Sequence, residues 1–123
     1  MRRTATAVAI DAAMIVLFAA MGRRAHDDGS AVAGTLTVAA PFLIGYGIAA
    51  IALRLDRAPF QVRRGTMVWA AGIAIGLVLR GLVFGRGLAP AFVVVAFVTT
   101  GVLLVGWRAV LARFAAERRG ATG

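Results

Sequence analysis

The chain has no cysteine, no lysine, one histidine, one serine and only five acidic residues among 123. Without cysteine there is no disulfide framework, no thiolate metal site and no cysteine nucleophile. Ser30 is the only serine and lies four residues from His26, so no Ser–His–Asp arrangement can be assembled. His26 with Asp27 and Asp28 offers three adjacent loop residues, a poor metal-ligand set without further donors. No phosphate-binding loop or dinucleotide fingerprint is present. No catalytic, metal-binding or cofactor-binding residue is therefore assigned, and a non-enzymatic protein is expected.

What the chain does contain is apolar. It is 61% hydrophobic, with a mean hydropathy of +0.88. That is too apolar for an ordinary soluble domain. All fourteen basic residues are arginine, which with abundant Ala, Gly and Val fits a GC-rich coding sequence. The formal charge of +9 invites comparison with nucleic-acid binders. The arginines, however, sit at the ends of apolar runs and are not interleaved with aromatics. Their expected partners are anionic lipid headgroups, and no nucleic acid is expected.

Four runs are long enough to cross a hydrocarbon core of roughly 30 Å, which needs about 20 residues. They cover residues 4–21, 31–53, 66–84 and 90–107. Such runs are far longer than barrel strands and do not alternate strictly. The expected fold is all-α: a transmembrane four-helix bundle forming one domain over residues 1–123, with a tail at 108–123. The tail is expected to continue as a short helix on the membrane surface. Leu111, Phe114 and Ala115 would face lipid there, with Arg113 and Glu117 in water.

The N-terminus imitates a signal peptide, with Arg2 and Arg3 before an apolar stretch. Asp11 interrupts that stretch and no clean small-x-small site precedes a polar start, so it is read as a retained first span. Arginine placement sets the orientation. The N-terminus, the second loop and the tail hold ten arginines, against Arg23, Arg24 and Arg86 in the other two loops. The imbalance predicts a multi-pass protein of the cytoplasmic membrane with both termini inside.

Two features point to close helix contacts. Gly34, Pro41 and Gly45 share one face of the second span. Pro41 also frees the carbonyl of Thr37, opening a kink that serves packing or a small cavity. Gly72 and Gly76 form a GxxxG pair in the third span, spacing that lets two backbones approach in lipid. Arg80 continues that stripe and so turns towards protein.

Asp11 is the costly residue of the first span. An aspartate at a helix centre costs about 2.5–3.5 kcal/mol to insert, and the apolar residues around it return roughly 2–4 kcal/mol. A partner or a proton therefore matters. By helical rise, Asp11 lies roughly 10 Å in from the N-terminal end of its span, with Arg80 about 10 Å deeper. Arg108 lies near the same surface as Asp11 and is the easier direct partner by depth. Arg80 is the candidate by the glycine stripe. Asp11 paired with arginine would fix helix order; a protonatable Asp11 would serve transport. Arg23, Arg24 and His26 form a candidate outer-loop site, for an anion or for pH sensing.

These residues leave three functional readings. The leading one is a structural or accessory interaction module, with a homo-oligomer or another membrane protein as its partner. The second is an oligomeric transporter of protons or a small anion, its path lined by Asp11, Arg80, His26 and the Thr37–Pro41 segment. The third is a lipid-directed enzyme at residues 22–26.

Several short stretches occur together in a recognisable order. They are Asp11, then Phe18-Ala-Ala-Met-Gly-Arg-Arg-Ala-His26, Pro41-Phe-Leu43 with Gly45, and Leu79-Arg80. Gly85-Arg-Gly87, Ala91-Phe-Val-Val-Val-Ala96 and Gly106-Trp-Arg108 follow. In this the chain resembles the domain-of-unknown-function family 3054, small prokaryotic membrane proteins. The family pattern has Trp before the Pro-Phe pair, where this chain has Ala40. The resemblance implies four membrane helices and no assigned activity.

Overall fold

The computed structural model describes residues 2–24, 31–82 and 90–122. Four α-helices account for nearly all of them: α1 (Arg2–Arg24), α2 (Ala31–Ala52), α3 (Val62–Leu82) and α4 (Pro90–Thr122). One 3₁₀ turn, Leu55–Arg57, lies between α2 and α3. Among the described residues there is no strand. Each of the four helices contains a stretch long and apolar enough to cross a membrane. Adjacent helices pack in a closed ring, α1 on α2, α2 on α3, α3 on α4 and α4 on α1. The α2–α3 contact is the most extensive and the α1–α4 contact the least.

The helices do not stop where the apolar runs stop. α1 includes Arg2, Arg3, Arg23 and Arg24, and α3 starts four residues before the apolar run at Thr66. Arginine and glutamine are good helix formers, so a charge ends a hydrophobic stretch without ending the helix. The start of α3 is secured by the Gly65 amide, which donates to Gln61 at 2.9 Å. The Thr66 hydroxyl donates to the Val62 carbonyl at 2.8 Å. The tail is the largest departure. Residues 108–122 do not form a separate surface helix; they continue α4, which runs for 33 residues.

α2 ends by a different device. Arg54 takes a left-handed conformation with φ 55°, which breaks the helical repeat. At that end the Leu53 and Arg54 amides still donate to Ala49 and Ile51 of α2, at 2.9 and 3.3 Å, so the carbonyls next left without donors are those of Leu53 and Arg54. Arg64 supplies them from α3: its Nη1 donates to the carbonyls of Leu53 at 2.6 Å and Arg54 at 3.1 Å. An arginine near the start of α3 thus ties down the turn that follows α2. Leu55 is buried beneath the connection.

The glycines of the two central helices interlock. A Cβ on Gly45 would lie 2.5 Å from the Gly72 carbonyl oxygen and 2.6 Å from the Gly76 nitrogen. A Cβ on Gly76 would lie 3.0 Å from Cα of Phe42 and 3.2 Å from the Pro41 carbonyl oxygen. Backbone meets backbone, so Gly72, Gly76, Gly45 and Pro41 join α2 to α3 within one chain. Above this contact Phe18, Phe42 and Phe92 cluster with ring centroids 5.6–6.4 Å apart. Trp69 pins α3 to α4 by donating to the buried Thr100 hydroxyl at 3.0 Å, and Thr100 donates to the Ala96 carbonyl at 2.5 Å. The outside is apolar: Ile51 and Leu82 are about four-fifths exposed (79% and 81%). Lipid tolerates such a surface, whereas water would not.

Candidate functional site

The polar centre lies on the apolar interior, near the end of the bundle that carries the N-terminus. α1 brings Asp11, which is fully buried (0%). α4 brings Arg108, exposed by only 1%. The two form a bidentate pair: Arg108 Nη1 donates to Asp11 Oδ1 at 2.8 Å and Nη2 to Oδ2 at 2.6 Å. α2 adds Tyr46, whose hydroxyl donates to Asp11 Oδ2 at 2.5 Å. The neighbour of the arginine, Trp107, donates from Nε1 to Oδ1 at 2.9 Å. Each carboxylate oxygen therefore accepts two hydrogen bonds. An ionised carboxylate only accepts, and every neighbouring polar group here donates.

Arg108 is equally committed. Its Nε donates to the Pro59 carbonyl at 2.9 Å, and Nη1 also donates to Leu104 of its own helix at 2.9 Å. The Pro59 carbonyl is available because the α2–α3 connection is not helical there. α3 contributes space in place of a polar group. A Cβ on Gly65 would lie 2.6 Å from Nε and 3.0 Å from Cζ of Arg108, so only glycine leaves room for the guanidinium. The Trp107 ring lies under the guanidinium with Cζ 4.5 Å from its centroid. Phe60 packs edge-on against Trp107 at 5.7 Å, and Arg3 sits 5.0 Å from the Phe60 centroid. All four helices and the α2–α3 connection thus meet at one carboxylate–guanidinium pair.

Such an arrangement suits holding charge in place. Removing two ions from water is costly, and their attraction offsets that cost only when the remaining lone pairs and N–H groups are also met. Here they are met almost completely. The bidentate fork additionally fixes the rotation of α4 about its own axis relative to α1, because guanidinium and carboxylate must be coplanar to make both bonds.

Of the sequence candidates, Asp11 and Arg108 come together and Arg80 does not join them. Arg80 lies on α3 fifteen residues past Gly65, about 22 Å along the axis. There its guanidinium stacks on Phe92 at 4.0 Å, over the phenylalanine cluster. Arg23 and Arg24 close α1, and their side chains, like His26 and the rest of that loop, lie outside the described residues. Gly85 to Ala89 lie outside them too.

Three contributors escaped the sequence reading. Tyr46 is the only tyrosine in the chain and lies in an apolar span. A buried phenol needs a partner for its hydroxyl, and that requirement was the available signal. Trp107 ends the last apolar run, where tryptophan commonly sits at a membrane interface, yet its indole N–H turns inward to Asp11. Gly65 sits just before an apolar run and has no distinguishing local pattern; only the α4 side chain opposite explains it.

No curated protein and no solved structure matches the chain. A family model described as "Protein of unknown function (DUF3054)" matches residues 8–111, most of the chain. The matched stretch includes Asp11, Tyr46, Pro59, Gly65, Trp107 and Arg108.

Proposed function

The chain belongs to this DUF3054 family of proteins of unknown function, and on that premise we propose a structural or accessory interaction module of the cytoplasmic membrane. It is a non-enzymatic, multi-pass protein with both termini in the cytoplasm. The observation that carries the reading is the saturated centre: Asp11 accepts from Arg108, Tyr46 and Trp107, and nothing in it is left to exchange with solvent. A centre built that way holds four helices in one order. It leaves the bundle's exterior and its ends for contact with other molecules.

Arginine placement supports the orientation. Arg108 is consumed in the centre, which leaves nine arginines on the side of the termini against three on the other. The bias keeps its sign and size. On this orientation the exposed arginines meet anionic headgroups of the inner leaflet. A C-terminal fluorescent-protein fusion is expected to fluoresce, and a C-terminal alkaline phosphatase fusion to stay inactive; the reverse pair of results would sink the orientation. The module reading expects a stable partner, another membrane protein or further copies of the chain, after purification in mild detergent. A lone monomer that retains full cellular activity would count against it.

Transport of protons or a small anion by an oligomer is the second reading. In its favour stands a fully buried carboxylate where four helices meet, because intramembrane ionisable groups commonly serve pathways. It ranks second because Arg80 is engaged with Phe92 far from Asp11. Its test is flux in proteoliposomes, which Asp11→Asn should abolish in a protein that still folds. Normal flux in that variant would remove the reading.

A further inference from the structure

The ion pair is buried, yet it is shallow. The Arg108 side chain lies against Gly65, three residues inside α3 and about 4.5 Å from its start. Tyr46 lies six residues, about 9 Å, from the end of α2. What touches the centre from beyond those two helix ends is the connection between them, residues 53–61. Pro59 accepts from Arg108 Nε at 2.9 Å, and Phe60 packs edge-on against Trp107.

The connection is built as one self-contained piece. The amides of Arg57, Ala58 and Gln61 donate to the carbonyls of Arg54, Leu55 and Ala58, at 3.0, 3.1 and 3.2 Å. Among the described residues, no backbone hydrogen bond joins 55–60 to any helix. Swinging the piece outward would therefore break none of its own bonds. Side chains hold it to the bundle. Arg64 of α3 grips the carbonyls of Leu53 and Arg54, Arg108 of α4 grips that of Pro59, and Arg3 of α1 lies over the Phe60 ring. Leu55 and Pro59 are buried on the inner side, while Arg54, Asp56 and Arg57 are exposed on the outer one. At the first end Arg54 is left-handed, with φ 55°, a conformation that costs any residue with a Cβ. The closed form thus carries strain that opening would relieve.

Segments attached in this way open at lower cost than the helices they join. We propose that residues 53–61 are a strap latched by Arg3, Arg64 and Arg108, and that it releases while the four helices stay folded. Release withdraws the Pro59 carbonyl from Arg108 and the Phe60 ring from Trp107. It opens the Asp11–Arg108 pair to water at the end of the bundle that carries the N-terminus. The three latches come from three helices, so the strap stays shut only while α1, α3 and α4 keep their places. The inference goes beyond both functional readings: it concerns when the centre can be reached, whatever docks on the bundle or passes through it.

The test uses the full chain, labelled with nitrogen-15, in phosphatidylcholine nanodiscs. The chain has two tryptophans, so its spectrum holds two indole N–H signals. Trp107 donates to Asp11 and reports on the centre; Trp69 donates to Thr100 and reports on the bundle. After transfer to heavy water the Trp107 signal should decay ahead of that of Trp69. Arg64→Gln removes the bonds to Leu53 and Arg54 and no bond to either tryptophan. It should speed the decay of Trp107 at least about tenfold, or about 1.4 kcal/mol of closed-state stability, and leave Trp69 unchanged. Arg3 is exposed, so Arg3→Gln should keep its helix content, and it should speed the decay of Trp107 about two- to fivefold, the worth of an exposed cation–π contact. That variant decides the matter if Arg64→Gln fails to fold. Decay of both signals at one rate means that the bundle opens as a whole, and overturns the strap. Unchanged decay of Trp107 in either folded variant overturns it as well.

Discussion

Remove the carboxylate of Asp11 and the guanidinium of Arg108 is stranded. Asp11→Ala takes away two of the acceptors that Arg108 uses and leaves a cation almost fully buried. Breaking one side of a buried pair costs about 3–5 kcal/mol, a large share of an ordinary net stability of roughly 5–15 kcal/mol. Arg108→Met strands the carboxylate instead and should cost a similar amount. If the two effects were independent, the double variant Asp11→Leu, Arg108→Met would lose about 6–10 kcal/mol. The structure predicts less. Removing both ions removes the desolvation cost, leaving the Tyr46 hydroxyl and the Trp107 N–H without their acceptor, at about 1–3 kcal/mol each. The double variant should therefore lose about 2–6 kcal/mol. Adding Tyr46→Phe should recover part of that by removing one orphan donor. The assay is reversible unfolding in mixed micelles of increasing SDS fraction, followed by tryptophan fluorescence, to which Trp107 on the centre and Trp69 between α3 and α4 both contribute. Single variants within about 1 kcal/mol of wild type, or a strictly additive double variant, would refute the account of a coupled, desolvated pair.

Four further outcomes follow from the same structure. Tyr46→Phe alone should cost about 0.6–1.7 kcal/mol, the range of single hydrogen bonds inside membranes, in the same unfolding assay. Gly65→Ala should displace the Arg108 side chain and cost about 1–3 kcal/mol; a variant as stable as wild type would mean that α3 does not confine the guanidinium. Gly45→Ala drives a methyl into the backbone of α3 and should separate α2 from α3, read as lost yield of folded protein. Gly106→Ala meets nothing within 4 Å and should be neutral or stabilising by up to about 1 kcal/mol.

The fold was legible because four long apolar runs admit little besides membrane helices. Helix ends were less legible, since arginine, glutamine and glutamate end an apolar run without ending a helix, as at Val62 and along α4 after Arg108. Depth alone ranks Arg108 above Arg80 as the neighbour of Asp11, and the coordinates place Arg108 there. The two glycine motifs announced a close contact without saying with what; they face each other, Gly45 of α2 against Gly72 and Gly76 of α3, a pairing that exists only in three dimensions. Tyr46 and Trp107 were hidden for a related reason. Each is an ordinary residue for an apolar span, and its polar atom acquires meaning only from Asp11 on another helix.

Asp11 and Arg108 are 97 positions apart, and they are made in that order. At roughly 5–20 residues per second, Asp11 is synthesised about 5–20 seconds before its counter-ion. Throughout that interval the carboxylate sits in a helix that is barely apolar enough to stay. Only the last helix completes the centre, so a nascent chain that stops early leaves three helices around an unmatched charge. The ion pair thus forms only once α4 has been made, and until then Asp11 has no guanidinium partner from that helix.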